Sequence, residues 1–234
     1  MNFKTSIKTF FYIGLDKLSL SVFQGIDKKI FEEEILINRS KEKEDFDSII
    51  DKFFGENIIK AEKKIGNFIN EIDLIIFDLN FILIPASIKK NGKGDKINKR
   101  DLNLMLFDLK QQIKENNIDK KITHMRINYF LLDKKQYFTL NDDFECNELC
   151  LQIDFICLSN RVIDNYSKKI KKYQISVDKI LSAEYLNKHY KNIGENECQI
   201  AARLKYENDE NEVHLIKKTI ENTGFFERFF RFFN

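Results

Sequence analysis

The sequence predicts a mixed α/β fold, because its hydrophobic spacing changes twice within the first 80 residues. Residues 8–37 read as three strands joined by short turns, with apolar and serine residues alternating over 18–22. Apolar residues then recur at helical spacing over 44–69. Residues 72–79 form an apolar run interrupted only by Asp73 and Asp78, which is typical of a strand buried on both faces. The predicted order is strand, strand, strand, helix, strand.

A second αβ unit is predicted at about 84–158. It begins with a glycine-containing turn at 89–95 and continues with a helix at 101–116, whose inward-facing residues are Leu102, Leu106, Leu109 and Ile113. Three strands are predicted to follow, at 122–132, 137–140 and 149–158. A helix at 162–173 then returns the chain to the first unit, because its apolar residues share one face.

The C-terminal residues predict an amphipathic helix. At 100° per residue, six rings fall on one arc: Phe225, Phe226, Phe229, Phe230, Phe232 and Phe233. Basic residues exceed acidic ones across the same segment; they are Lys217, Lys218, Arg228 and Arg231. This combination favours a helix that lies on an anionic membrane surface. The alternative is a terminal helix that docks on the protein's own core.

Composition limits the other classes of partner. The formal charge is only +2 over 234 residues, and lysines are interspersed with acidic residues, so we expect no nucleic-acid partner. No apolar run approaches the roughly 20 residues that span a bilayer, and the run at 10–15 is too short for a secretory signal. We therefore expect the body of the protein to be cytosolic.

No motif indicates a metal site, a cofactor or a nucleophile. The cysteines lack a C-x-x-C pair and a nearby histidine, so reduced thiols are expected; they are Cys146, Cys150, Cys157 and Cys198. Acidic residues at 142–145 lack the glycine and terminal glutamate of a calcium loop and read as a solvated turn. His124 is expected on a sheet strand as a satisfied structural imidazole.

Several weak motifs, taken in order, resemble the bacterial cell-division protein FtsA, an actin-like ATPase. Tyr12-Ile-Gly14-Leu-Asp-Lys17 stands where that family has Asp-Ile-Gly-Thr-Ser-Lys in its phosphate hairpin. The other similar segments are Ile59-Lys-Ala-Glu62 with Gly66, Ile-Thr-His at 122–124, Tyr129-Phe-Leu-Leu-Asp133, Tyr173-Gln-Ile-Ser-Val177 and Leu181-Ser-Ala183. The amphipathic end is similar to the family's membrane-targeting helix.

The resemblance implies one half of an actin-like, ribonuclease H-like α/β fold with an inserted SHS2-type subdomain, called 1C in the family. Residues 1–83 and 159–190 would form subdomain 1A, and 84–158 the 1C-like insertion. Residues 191–212 are polar and read as a linker. Residues 213–234 would be the membrane-targeting helix.

The resemblance also implies that ATP chemistry is lost. Tyr12 replaces the family's acidic residue and cannot hold a magnesium-bound phosphate by charge. Gly14 and Lys17 remain, but a hairpin turn and an exposed lysine explain them equally well. The stretch after Tyr190 offers no second glycine-rich loop. We expect no catalysis, no bound nucleotide and no other cofactor.

The function implied is that of an FtsA-like scaffold, bound peripherally to the inner face of the cytoplasmic membrane. By resemblance, its partners would be division proteins such as FtsZ, and further copies of the chain through self-association. Two alternatives remain. One is an actin-fold ATPase subunit completed by a partner chain, with Lys17 reaching phosphate. The other is a pilus or secretion assembly protein of the same fold branch.

Overall fold

A computed structural model describes residues 6–26, 28–38, 45–92, 94, 96–139, 143–192, 194–206 and 211–213. The predicted membrane-binding phenylalanines and basic residues, at 217–233, lie outside these ranges. In chain order the elements are β1 (Ile7–Ile13), β2 (Lys17–Gln24), β3 (Lys28–Leu36), α1 (Phe46–Ile65), β4 (Glu71–Ile76), β5 (Ile82–Asn91), β6 (Lys96–Asn98), α2 (Lys99–Asn116), β7 (Lys120–Leu132), β8 (Lys135–Tyr137), β9 (Asp143–Glu145), β10 (Glu148–Ser159), α3 (Asn160–Lys171), β11 (Ser176–Ser182), α4 (Ala183–His189) and α5 (Glu197–Tyr206).

The first sheet has the predicted meander followed by a helical crossover. Its strand order is β11-β4-β1-β2-β3. β1, β2 and β3 pair antiparallel, whereas β4 runs parallel to β1 and β11 runs parallel to β4. α1 connects β3 to β4 and ends at Gly66, whose left-handed φ of 71° lets its N–H reach the Glu62 carbonyl. The predicted mixed α/β fold, with the order strand, strand, strand, helix, strand, is confirmed.

Both faces of this sheet are covered. On one face, Phe11, Leu18 and Leu74 pack against the apolar side of α1, including Ile50 and Phe54. On the other face, the alternate strand residues pack against α4 and α5; the fully buried members include Phe10, Ile75, Ala183, Leu186 and Ile200. Because side chains alternate along a strand, the two faces of β1 contribute to two separate cores.

An αβ unit stands between β4 and α3. Four of its six strands form an antiparallel sheet in the order β5-β10-β7-β8, β6 and β9 form a separate pair, and α2 packs on one face of the four-stranded sheet through Leu106 and Leu109. The predicted helix and the strands predicted at 122–132 and 149–158 are therefore present, whereas the short strand predicted at 137–140 lies at 135–137. The sequence missed β5, which pairs with β10 along its whole length. The SHS2 identity of the unit stays a prediction.

The predicted polar linker over 191–212 is wrong at residues 197–206 and 211–212. Residues 197–206 form α5, and Cys198, Ile200 and Ala202 are fully buried against the first sheet. Residues 211–213 then lie along the edge of β7, where Arg126 and Glu212 form an antiparallel bridge. Small side chains explain the error, because a helix face built partly of alanine and cysteine gives a weak hydrophobic signal.

The four cysteines are free thiols, and Cys146, Cys157 and Cys198 are buried. Within the described part of the chain, no three His, Cys, Asp or Glu residues are grouped so that they could hold a metal ion. In the same residues, no helix combines the length and the apolar character that crossing a membrane requires.

Candidate functional site

The β1–β2 hairpin carries the residues that the sequence singled out for phosphate. Gly14 N–H donates to the Lys17 carbonyl across 2.9 Å, which closes a tight turn. Tyr12 lies on β1, two residues before Gly14, and is only 5% exposed. A Cβ at Gly14 would lie 2.5 Å from Tyr12 Oη and 2.8 Å from two of its ring carbons. The Tyr12 ring is therefore folded back against the hairpin, and only glycine leaves room for it.

Lys17 faces acidic groups of its own chain. Its Nζ lies 3.0 Å from Glu197 Oε2 at the start of α5 and 3.6 Å from Glu34 Oε2 on β3. The same ammonium lies 5.2 Å from the centroid of the Tyr12 ring, within cation–π distance. The sequence proposed an exposed lysine, and the structure instead shows a lysine whose charge is matched by two carboxylates.

The electrostatics of the hairpin agree with this geometry. Burial, and then the charge of Glu197, raise the pKa of the Tyr12 phenol far above its usual value, so Tyr12 is neutral. Burial opposes the charge of Lys17, but the hydrogen bond and charge of Glu197 outweigh it and raise the pKa of Lys17. Burial also acts against the Glu197 carboxylate, and the contacts with Lys17 still lower the pKa of Glu197. A phosphate bound at this hairpin would have to displace Glu197 as the partner of Lys17.

Two more carboxylates lie where β4, β10 and β11 end, and both accept hydrogen bonds from within the chain. Glu184 Oε1 accepts the Asp78 N–H at 2.8 Å, and its Oε2 accepts the Ser182 hydroxyl at 2.8 Å. Asp78 Oδ1 accepts the Asn80 N–H at 2.9 Å. Burial raises the pKa of Glu184 despite these bonds. The pair satisfies backbone groups at the junction of the two sheets.

His124 lies on β7 and is satisfied on both ring nitrogens, as predicted. Its Nε2 accepts the Ser182 N–H at 2.9 Å, and its Nδ1 lies 2.9 Å from Glu212 Oε1. The ring stacks on Tyr185 with 4.0 Å between centroids. This imidazole joins the second sheet to the first, and its contacts are those of a structural residue.

Sequence reasoning found the hairpin residues but missed their partners. Tyr12, Gly14 and Lys17 are brought together as the motif implied. Glu197 was placed in a linker, and no local motif connects it with Lys17, which is 180 residues away. The available signal was the apolar spacing of Cys198, Ala201 and Ala202 just after it.

Comparison with known proteins gives a distant structural match only. No protein-family model matches the sequence, and a search of curated proteins finds no match. Among solved structures, a chain of the PilM–PilN type IV pilus biogenesis complex matches with a TM-score of 0.48 and 8% identity, covering 78% of this chain and 48% of that one. The cytoplasmic domain of EpsL, an inner membrane component of the type II secretion system of Vibrio cholerae, matches with a TM-score of 0.37 and 6% identity, covering 77% and 57%. This chain thus spans about half the length of the chains it matches.

Proposed function

We propose that this protein is a nucleotide-independent scaffold that holds a protein assembly at the cytoplasmic face of a membrane. The observation that carries the proposal is the closed β1–β2 hairpin. Tyr12 lies against Gly14, and Lys17 is paired with Glu197 at 3.0 Å. A phosphate loop must instead present free backbone N–H groups and an available cation.

Nucleotide binding at this hairpin would carry several costs. The Tyr12 ring would have to leave a buried position, and the half-buried Lys17–Glu197 pair would have to break. A neutral phenol also supplies no charge for a magnesium ion. These contacts equally disfavour a composite ATPase in which Lys17 reaches the phosphate of a partner-bound nucleotide.

The experiment is a calorimetric titration of the full chain with Mg-ATP. We expect no saturable heat, either for the wild type or for Lys17→Met, which removes the remaining cation of the motif. Saturable binding by the wild type that is lost in Lys17→Met would refute the proposal, because it would show that the hairpin opens to receive phosphate.

The C-terminal segment supplies the proposed membrane contact. Fully burying one phenylalanine gains ~1.5 to 3 kcal/mol, so six rings offer a gross gain of about 9 to 18 kcal/mol before partial depth and helix ordering are subtracted. Binding of this strength is reversible and becomes firm when several copies are joined in one assembly. The positive charges of the segment favour anionic lipid.

Deleting residues 224–234 removes all six phenylalanines. We expect the truncated protein to remain at the bottom of a flotation gradient with anionic vesicles, whereas the full chain rises with them. A matched control replaces Arg228 and Arg231 by glutamine and keeps the rings, which should weaken flotation only at low salt. A truncated protein that still floats would show that the anchor lies elsewhere.

Two settings fit such a scaffold. The resemblance to FtsA favours a division apparatus, and the PilM–PilN and EpsL structures belong to pilus and secretion assemblies. Affinity purification from cells, with the full chain and with the form lacking residues 224–234, separates them. Recovery of a tubulin-like division protein supports the first setting, and recovery of pilus or secretion components supports the second.

A further inference from the structure

Residues 211–213 form an isolated antiparallel bridge with the free edge of β7. The Ile127 N–H donates to the Asn211 carbonyl at 2.8 Å, and the Val213 N–H donates to the Met125 carbonyl at 2.8 Å. Arg126 and Glu212 face each other between these bonds. They form a non-hydrogen-bonded antiparallel pair, the type in which the two side chains approach most closely.

The Glu212 side chain closes this contact. Its Oε1 lies 2.9 Å from His124 Nδ1, and its Oε2 accepts the Tyr190 hydroxyl at 3.5 Å. The Ser182 N–H donates to His124 Nε2, so that nitrogen carries no proton, and Nδ1–H donates to Glu212. The carboxylate is only 12% exposed, which strengthens a charge-assisted hydrogen bond relative to one in water.

The partners of Glu212 come from both sheets. His124 belongs to β7 of the second sheet, and its ring contacts Ser182 at the end of β11 in the first. Tyr190 follows α4, and its hydroxyl accepts from Arg126 Nη1 at 2.7 Å. Val213 packs against the core of the second sheet. Residues 211–213 therefore lie over the line where the two sheets meet.

We propose that residues 211–213 are a releasable strap, closed by Glu212, that fixes the point from which the C-terminal segment leaves the body of the protein. The strap is three residues long and has two main-chain hydrogen bonds across it. Such bonds are individually weak in net terms because water competes for them. Local opening is accordingly far less costly than unfolding the sheets that the strap covers.

Opening the strap changes the reach of the C-terminal segment. When it is closed, the segment begins at Val213 on the second sheet. When it is open, the last fixed point is the end of α5 at Tyr206, and the seven residues from there to Val213 can span at most roughly 25 Å. The strap thus sets the distance between the body of the protein and whatever the C-terminal segment binds. That this segment binds a membrane rests on the function proposed above.

Hydrogen–deuterium exchange of the full chain without lipid tests the strap alone. In Glu212→Ala, we expect the Ile127 and Val213 amides, which donate across the strap, to exchange roughly tenfold faster or more, because a partly buried charged hydrogen bond is lost. Peptides from β10, at 149–158, should keep their wild-type rates. Glu71→Ala is the matched control, since it removes an exposed carboxylate 2.8 Å from Lys8 and should change neither strap nor β7. Unchanged exchange in Glu212→Ala, or equal acceleration in β10, would overturn the proposal.

A disulfide tests the effect on reach. The variant carries cysteines at the facing positions, Arg126→Cys and Glu212→Cys, together with Cys150→Ser, since the other native thiols are buried. The strap should be closed when this disulfide is oxidised and open when it is reduced. On supported anionic bilayers, neutron reflectivity should place the oxidised protein in a thinner layer than the reduced one. Equal thickness in both forms contradicts the proposed control of reach. If neither form binds the bilayer, the membrane function fails while the exchange experiment still decides the strap.

Discussion

Tyr12 and Gly14 are a matched pair of residues at the hairpin. A Gly14→Ala substitution would place its Cβ 2.5 Å from Tyr12 Oη, well inside van der Waals contact. We expect the free energy of unfolding to fall by about 1–3 kcal/mol, the usual cost of overpacking. Chemical denaturation monitored by circular dichroism measures this change.

A double-mutant cycle identifies the cause of that loss. Gly14→Ala in a Tyr12→Ala background removes the clash, so it should cost much less than in the wild type. If Gly14→Ala is equally costly in both backgrounds, the ring does not lie against the turn and the hairpin is not closed as described.

Glu197 gives the hairpin a pH dependence with a definite sign. Its pKa is lowered in the folded protein, where burial acts against the carboxylate and the Lys17 contacts outweigh it. The stabilisation is therefore present above the unfolded pKa and is lost as pH falls through the lower folded value. We expect Glu197→Gln to cost about 1–3 kcal/mol at neutral pH, with the difference from wild type shrinking below about pH 4. Urea denaturation at both pH values checks this, and a difference that grows in acid would contradict the ion pair.

At the residue scale, the sequence named the hairpin side chains because they follow one another in a recognisable motif. It could not name Glu197, Glu184 or Glu212, since each meets its partner only after the chain has folded. The departure of Tyr12 from the motif was visible in the sequence. Its physical consequence, a ring packed on the turn, required the structure.

At the scale of elements, α5 is where the sequence prediction was wrong and is the easiest element to test. Ile200 is fully buried, so Ile200→Ala should lower the free energy of unfolding by about 2–5 kcal/mol. Ile59→Ala is the control, because Ile59 is 52% exposed and its loss should change stability by no more than about 0.5 kcal/mol. A near-neutral Ile200→Ala would favour the linker that the sequence predicted.

Periodicity explains which elements could be predicted. β2 and α1 have strong spacing and large side chains, and both were predicted close to their observed bounds. β5 was missed because Pro85 falls within it, and a proline argues against a central strand. Its pairing with β10 at the edge of the sheet overrides that local preference.

At the scale of the whole molecule, the chain combines a closed hairpin with a junction between two sheets over which residues 211–213 lie. α5 is held at both ends, by Glu197 with Lys17 and by Lys205 with Asp73 at 2.7 Å. This helix covers the sheet face that includes the Tyr12 ring. In the proposed scaffold, such a body would serve as a fixed spacer without a nucleotide cycle.

Vesicle flotation of the full chain, with and without Mg-ATP, tests that conclusion most directly. We predict that the fraction bound to anionic vesicles is the same in both conditions, because Lys17 is already paired with Glu197 and is not available to a phosphate. A bound fraction that rises or falls with Mg-ATP, and that no longer responds in Lys17→Met, would contradict a nucleotide-independent scaffold.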